Sequence, residues 1–246
     1  MFSFEKTVAE LIKKIINKEI AEFPKPVVFL TGGRSASKLY KFLANDCPDL
    51  FKASTLYLGD ERCVQSTDLS SNLGTISSSW SNIEACCLGF YYINGSALSE
   101  ELEATRYSAL LPKQINLILL SVGEDGHIAS LFPFNKALYE SKSDVMAVDV
   151  QIQPKKRITI TPALISRARN VVVMAEGELK GRVLAESLNE NLDNFIKYPV
   201  SLTRGSYWVL DQDAESAFFA QLKSSSRNLV NIITCATRQA QRRGCK

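Results

Sequence analysis

Apolar positions along this chain alternate between two rhythms. Phe4, Val8, Leu11, Ile12, Ile15 and Ile16 recur at helical spacing with Glu and Lys between them, which predicts an amphipathic helix over residues 3–19, ended by Pro24 and Pro26. Short apolar runs then punctuate the chain: Val27–Leu30, Thr55–Leu58, Phe90–Ile93, Ile115–Leu120, Val145–Val148, Val171–Met174 and Tyr207–Leu210, with Arg157–Thr161 alternating. Their length and β-branched content predict strands. Helical patterns lie between them: Leu39 to Leu43, 99–111, Pro162 to Ala168, Leu179 to Leu188, and from about Ala214. Strands buried on both faces read as continuous apolar runs, so the alternation predicts a three-layer, doubly wound α/β fold with a mainly parallel sheet flanked by helices.

In such a sheet, ligands sit beyond the carboxyl ends of the strands, and these strand ends are unusually polar. Val27–Leu30 runs into Thr31-Gly-Gly-Arg-Ser-Ala-Ser37 and then a helix. Strand, glycine-rich turn and helix together point free backbone N–H groups and the positive helix end at an anion. The loop is neither a dinucleotide fingerprint nor a Walker loop, so no nucleotide is implied; the competing reading is a tight turn with Ser35 as a helix cap. Thr55–Leu58 ends in Gly59-Asp-Glu-Arg-Cys-Val64, where three successive charges need partners if buried. Asp68 to Asn72 offers caps or hydroxyl contacts. Ile115–Leu120 ends in Ser121-Val-Gly-Glu-Asp-Gly-His-Ile-Ala-Ser-Leu-Phe-Pro133, which holds His127, the one histidine of the chain.

Composition narrows the picture without redirecting it. With 46% hydrophobic and 22% charged residues, the chain reads as ordinary globular protein. No apolar run approaches a membrane span of about 20 residues, and charges interrupt the first residues too early for a signal peptide. The six cysteines show no C-x-x-C spacing, and one histidine is too few for the usual zinc sets, so no metal or cofactor is expected. Reduced thiols point to the cytoplasm. The net charge of +3 is uneven: Lys223, Arg227, Arg238, Arg242, Arg243 and Lys246 face no acidic residue after Gln221, which leaves −3 on residues 1–220. The expected division is therefore one α/β domain over 1–220 and a basic tail over 221–246. The acidic body argues against nucleic acid as a partner. Oligomeric state is not legible.

Taken together, Leu30-Thr-Gly-Gly-Arg-Ser, Gly59-Asp-Glu-Arg-Cys-Val with Ser71-Asn72, Gly123-Glu-Asp-Gly-His-Ile-Ala-Ser-Leu-Phe-Pro133, and Arg157-Ile-Thr-Ile-Thr with Gly177-Glu-Leu-Lys180 resemble 6-phosphogluconolactonase, in the expected order. The related glucosamine-6-phosphate deaminases share the fold and the Asp-Gly-His core; Arg62 and the residues after His-Ile-Ala favour the lactonase form. Departures are Arg34, Ser35 and Ala36 where Ser-Thr-Pro is usual, Asn116 at a position often Asp, and Ser121 at one often Gly.

The resemblance implies hydrolysis of 6-phospho-D-glucono-1,5-lactone, without a cofactor, on a fold of the glucosamine-6-phosphate deaminase/ribose-5-phosphate isomerase kind. Neither a nucleophile elbow nor a Cys–His pair is present. His127 is expected to act as general base on water and then as acid toward the ring oxygen. Asp125 either orients that ring or binds a substrate hydroxyl. Asp60 and Asn72 are candidates for sugar hydroxyls, and Gly32, Gly33, Arg34 and Ser35 for the phosphate. By the same resemblance, Arg157 and Lys180 match phosphate-binding positions, and Arg62 reaches the phosphate or the oxyanion. The alternatives are a glucosamine-6-phosphate deaminase and a non-catalytic phosphosugar sensor; the latter would carry a helix-turn-helix, for which the stretch ahead of Val27 is expected to be too short.

Overall fold

The structure is a computed structural model and describes residues 3–189, 194–222 and 231–235. Helix α1 (Phe4–Glu22) is followed by β1 (Val27–Leu30), α2 (Arg34–Asp46), β2 (Thr55–Leu58), β3 (Asp60–Arg62), α3 (Asn72–Ser79), β4 (Gly89–Tyr91), α4 (Glu100–Ala109) and β5 (Leu117–Ser121). Then come β6 (Val145–Asp149), β7 (Lys156–Ile160), α5 (Pro162–Arg167), β8 (Val171–Ala175), α6 (Glu178–Asn189), β9 (Tyr207–Leu210), α7 (Gln212–Gln221) and β10 (Asn231–Thr234).

Among the described residues, seven strands form one sheet in the order β10-β9-β8-β5-β1-β2-β4, and every pair in it is parallel. Its strands alternate between two cores. Val28, Leu30, Leu117, Leu119, Val172 and Met174 face α1 and α2, while Phe29, Ile118, Leu120, Val171 and Val173 face the layer that includes α4, α5, α6 and α7. Each such Val or Leu fully buried contributes about 1.5–3 kcal/mol, and burial on both faces is why the strands lack polar alternation. The expected three-layer, doubly wound architecture is present.

Two features depart from the expectation. Asp60–Arg62, expected as the polar end of the strand over Thr55–Leu58, is a strand of its own: β3 pairs antiparallel with β7, and β6 completes a separate three-stranded sheet. The charges are tolerated because each has partners, as described below. Secondly, β10 lies within the stretch expected as a tail and pairs with β9, so the sheet extends past residue 220. The basic residues of that stretch lie outside the described residues. Among the described residues, no helix is long and apolar enough to cross a membrane.

Strand order reverses between β1 and β5, which are neighbours in the sheet although α2, β2, β3, α3, β4 and α4 separate them in sequence. The loops leaving these two strands diverge to opposite sides and open a crevice at their carboxyl ends.

Candidate active site

That crevice is a cavity of about 830 Å³. His127, Asp125, Gly32, Gly33, Arg34, Ser35, Asp60, Arg62, Asn72 and Lys180 all line it, so all but one of the residues singled out from the sequence converge there.

The histidine loop is a tight turn. Gly126 N–H donates to the Gly123 carbonyl at 3.1 Å, and Gly123 N–H to the His127 carbonyl at 2.8 Å. Gly126 has φ +86°, a left-handed conformation that costs glycine nothing. Gly123 is required for space: a Cβ there would lie 2.1 Å from His127 Nδ1 and 2.7 Å from Asp125 Oδ1. The turn thereby folds Asp125 back onto the imidazole, with Oδ1 2.5 Å from Nδ1, and Oδ1 also accepts from the His127 backbone N–H at 3.1 Å. Burial pushes the Asp125 carboxyl up, but the hydrogen bond and charge of His127 outweigh it and hold the group below the usual carboxylate range. The imidazole stacks on Phe132, ring centroids 4.1 Å apart. With Nδ1 engaged by Asp125, Nε2 is the ring atom left for a ligand or water.

On the neighbouring wall the charges of β3 are resolved one by one. Glu61, 2% exposed, accepts from the backbone N–H groups of Arg62, Asn72 and Leu73 at 2.7 Å each and from the Ser71 hydroxyl at 3.0 Å. It thus anchors the positive end of α3. Burial nevertheless pushes its carboxyl upward against those bonds. Asp60 Oδ1 accepts from Asn72 Nδ2 at 3.0 Å and Oδ2 from Ser130 Oγ at 2.7 Å. A carboxylate has about four acceptor positions, so Asp60 retains capacity for a hydroxyl. Asn72 packs over Gly32 so closely that a Cβ there would sit 1.8 Å from Oδ1. Among the described residues, three buried polar atoms of cavity-lining side chains have no protein partner: Asn72 Oδ1, Arg62 Nε and Ser121 Oγ. An acceptor, a cationic donor and a hydroxyl of cavity-lining residues thus keep their hydrogen-bonding capacity unused.

The other end is cationic. Helix α2 begins at Arg34 after Gly33, and no side chain caps it; the proposed capping role of Ser35 is not seen, since Gly33 is the N-cap and Ser35 lies inside the helix. Its free N–H groups, Arg34 and Lys180 therefore share one end of the cavity. Burial lowers the Lys180 ammonium, with Glu176 the main opposing charge and Arg34 reinforcing the shift.

Arg157 is the exception. It does not line the cavity; it is 2% exposed, pairs in register with Arg62 across β3 and β7, donates from Nε to the Pro154 carbonyl at 3.0 Å and lies 5.4 Å from the Phe132 ring centre. Burial, then the nearby Arg62, lowers its basicity. β7 belongs to the second sheet, and its arginine backs the ring on which His127 rests.

Sequence reasoning missed Lys38, Glu176, Asp211 and Ile152, all on the cavity wall. Lys38 stands four residues after Arg34, the spacing that shares a helix face. Asp211 accepts from Gly177 N–H at 3.0 Å and from Ala214 N–H at 2.8 Å, tying the loop before α6 to α7. Ile152 at the β6–β7 turn carries no sequence signal beyond being apolar in a polar stretch.

The sequence profile of the glucosamine-6-phosphate isomerases/6-phosphogluconolactonase family matches residues 3–209. The chain belongs to this family. A 6-phosphogluconolactonase of Synechocystis is 30% identical over 213 residues, covering 81% of this chain and 87% of that one. The crystal structure of 6-phosphogluconolactonase from Thermotoga maritima superposes with a TM-score of 0.73 at 25% identity, over 84% of this chain and 94% of that one. A monomeric glucosamine-6-phosphate deaminase superposes almost as well, TM-score 0.69 at 21% identity over 88% and 98%. That second likeness shows the fold alone, so within the family the site has to carry the distinction.

Proposed function

We propose that this chain hydrolyses 6-phospho-D-glucono-1,5-lactone to 6-phosphogluconate, the lactone-opening step of the oxidative pentose phosphate pathway. The observation that carries the reading is the His127–Asp125 pair set on one wall of a cavity whose other end is cationic. A phosphorylated sugar ring fits that polarity: its phosphate goes to the α2 N–H groups, Arg34 and Lys180, and its hydroxyls to Asp60 and Asn72. The lactone carbonyl then faces His127.

His127 Nε2 removes a proton from water as the water oxygen bonds to C1. Asp125, ionised, stabilises the imidazolium that forms. Arg62 Nε supplies the unpaired donor for the oxyanion. When the intermediate collapses, the C1–ring oxygen bond breaks and the imidazolium returns its proton to the leaving oxygen, which becomes the C5 hydroxyl. One proton travels out and back, so a single imidazole suffices. Arg157, behind Phe132, is a positioning residue for the ring stack. The free cysteines among the described residues, Cys47, Cys63, Cys86, Cys87 and Cys235, support a cytoplasmic setting.

The test is acid release from freshly generated 6-phosphogluconolactone, measured above the uncatalysed background. The wild-type chain is expected to exceed that background and His127→Gln to lose about 10²–10⁴-fold in kcat. A His127→Gln variant within a few-fold of wild type removes the general-base role. Ammonia release from glucosamine 6-phosphate, with no lactone turnover, replaces the reading by the deaminase.

A further inference from the structure

The cationic end of the cavity contains an ion pair that neither the phosphate nor the reaction centre requires. Lys38 Nζ lies 3.1 Å from Glu176 Oε1. Both residues line the cavity, together with Arg34 one helical turn before Lys38 and Lys180 four residues after Glu176. A carboxylate here stands among three cations, where a phosphate dianion would be repelled by it. The pair joins two separate regions: Lys38 rides on α2, whose uncapped end supplies N–H groups, and Glu176 follows β8 just before Gly177 and α6.

The two partners differ in their freedom to move. The Lys38 side chain is 59% exposed and that of Glu176 18%. An ion pair with one long, solvated lysine belongs to the weak class, whereas a charge-assisted hydrogen bond to a doubly charged phosphate belongs to the strong one. Glu176 is also the foremost charge supporting the Lys180 ammonium, which burial otherwise discourages. Glu176 is thus the counter-charge that both lysines share.

We infer that Lys38–Glu176 is a displaceable ion pair: Lys38 leaves Glu176 for the bound phosphate ester, and Glu176 acts as an internal competitor that sets phosphate affinity. The inference rests on the reading that this cavity takes a phosphosugar. It adds Lys38 as a specificity-determining residue for the phosphate, and it assigns Glu176 a negative role. Deleting a carboxylate from the site is therefore expected to improve binding.

Inorganic phosphate is the probe, titrated calorimetrically into the full chain at fixed ionic strength and pH. Lys38→Gln is expected to weaken binding about 3- to 10-fold, and Glu176→Gln to tighten it by a similar factor, the range of one screened charge pair. The decisive measurement is the double variant. If Glu176 competes through Lys38, the gain from Glu176→Gln shrinks in the Lys38→Gln background. An equal gain in both backgrounds overturns the exchange, as does unchanged phosphate affinity in Lys38→Gln or no phosphate binding by the wild-type chain. Thermal midpoints of the variants confirm that each is folded. Lactone turnover is followed in parallel. Phosphate affinities that respond as expected in a chain without lactonase activity would leave this inference standing and remove the functional reading; turnover with phosphate affinities that do not respond would do the reverse.

Discussion

His127 Nδ1 and Asp125 Oδ1 lie 2.5 Å apart within one four-bond turn of the chain, so the acid–base group and its counter-charge come from the same loop. Two roles were open for Asp125, and kinetics separate them. If it holds the imidazole, Asp125→Asn lowers kcat about 10- to 100-fold with KM nearly constant. If it binds a sugar hydroxyl, KM rises and kcat holds. The arrangement favours the first outcome. Its pH dependence has a definite sign. The Asp125 carboxyl is lowered in the fold, the bond to His127 overcoming burial. Its contribution to stability is present above the unfolded carboxylate value and is lost as pH falls through the lower, folded one. The difference in thermal midpoint between wild type and Asp125→Asn should therefore close only in that acid range.

Gly123→Ala tests the turn without touching a charged group. The new methyl would lie 2.1 Å from His127 Nδ1, and the imidazole has to give way, because Phe132 holds its face. Overpacking of this kind costs about 1–3 kcal/mol in stability, a modest loss. Displacing the base by about 1 Å costs about 10²-fold in rate. The expected result is a folded protein with a slightly lower thermal midpoint and kcat down by about two orders of magnitude.

How far the sequence displayed this site depends on how each residue earns its place. Val27–Leu30 and Val171–Ala175 are buried on both faces, and continuous apolar runs announce that directly. The loops after them were legible because glycine and charge break the runs abruptly. Asp60–Arg62 gave the opposite signal: a strand made of three charged residues is stable only through α3's N–H groups, Ser71, Ser130 and Asn72, partners that tertiary structure supplies. The place of Arg157 behind Phe132 was not legible for the same reason, since no local pattern separates a cavity arginine from a buried one. Lys38 looked like any lysine on a helix surface until Glu176 was seen beside it. Asn231–Thr234 was hidden by the basic stretch around it.

Lys180 yields a prediction on the alkaline side. Burial is the main cause that lowers its ammonium, so the charge is lost as pH rises through a value below that of an ordinary lysine. For a base lowered in the fold, the cost to stability is present below the folded value and relieved as pH rises toward the unfolded one. Ligand affinity moves the other way. Binding of 6-phosphogluconate, which avoids the lactone's own alkaline hydrolysis, should weaken across that window. Lys180→Arg should hold its affinity to higher pH, because a guanidinium stays charged. Lys180→Met should bind about tenfold or more weakly and lose the alkaline dependence.

The far end of the sheet offers a prediction in which stability and activity part. Asn116, just ahead of β5, accepts from Val27 N–H at 2.9 Å and donates from Nδ2 to Glu19 Oε2 at 2.8 Å. Glu19 is 2% exposed and also accepts from Arg169 Nε at 2.9 Å and Asn170 Nδ2 at 3.0 Å. The network therefore fastens α1 to the amino ends of β1, β5 and β8, opposite the cavity. Asn116→Asp sets a second carboxylate oxygen against Glu19 where a donor had been. Two buried carboxylates that share the one cation of Arg169 cannot both ionise without cost, and breaking a buried charged contact costs about 3–5 kcal/mol. Urea denaturation at neutral pH should show a loss of that size. The loss should narrow as pH falls, because one shared proton restores the bond. Adding Glu19→Gln supplies an amide donor to the new carboxylate and should recover much of the stability, a coupling that a double-mutant cycle reads directly. Lactone kcat per folded molecule should remain that of wild type in every one of these variants, since the network touches neither His127 nor the residues around it. A fall in kcat with Asn116→Asp would show instead that the amino ends of the strands are coupled to the site at their carboxyl ends.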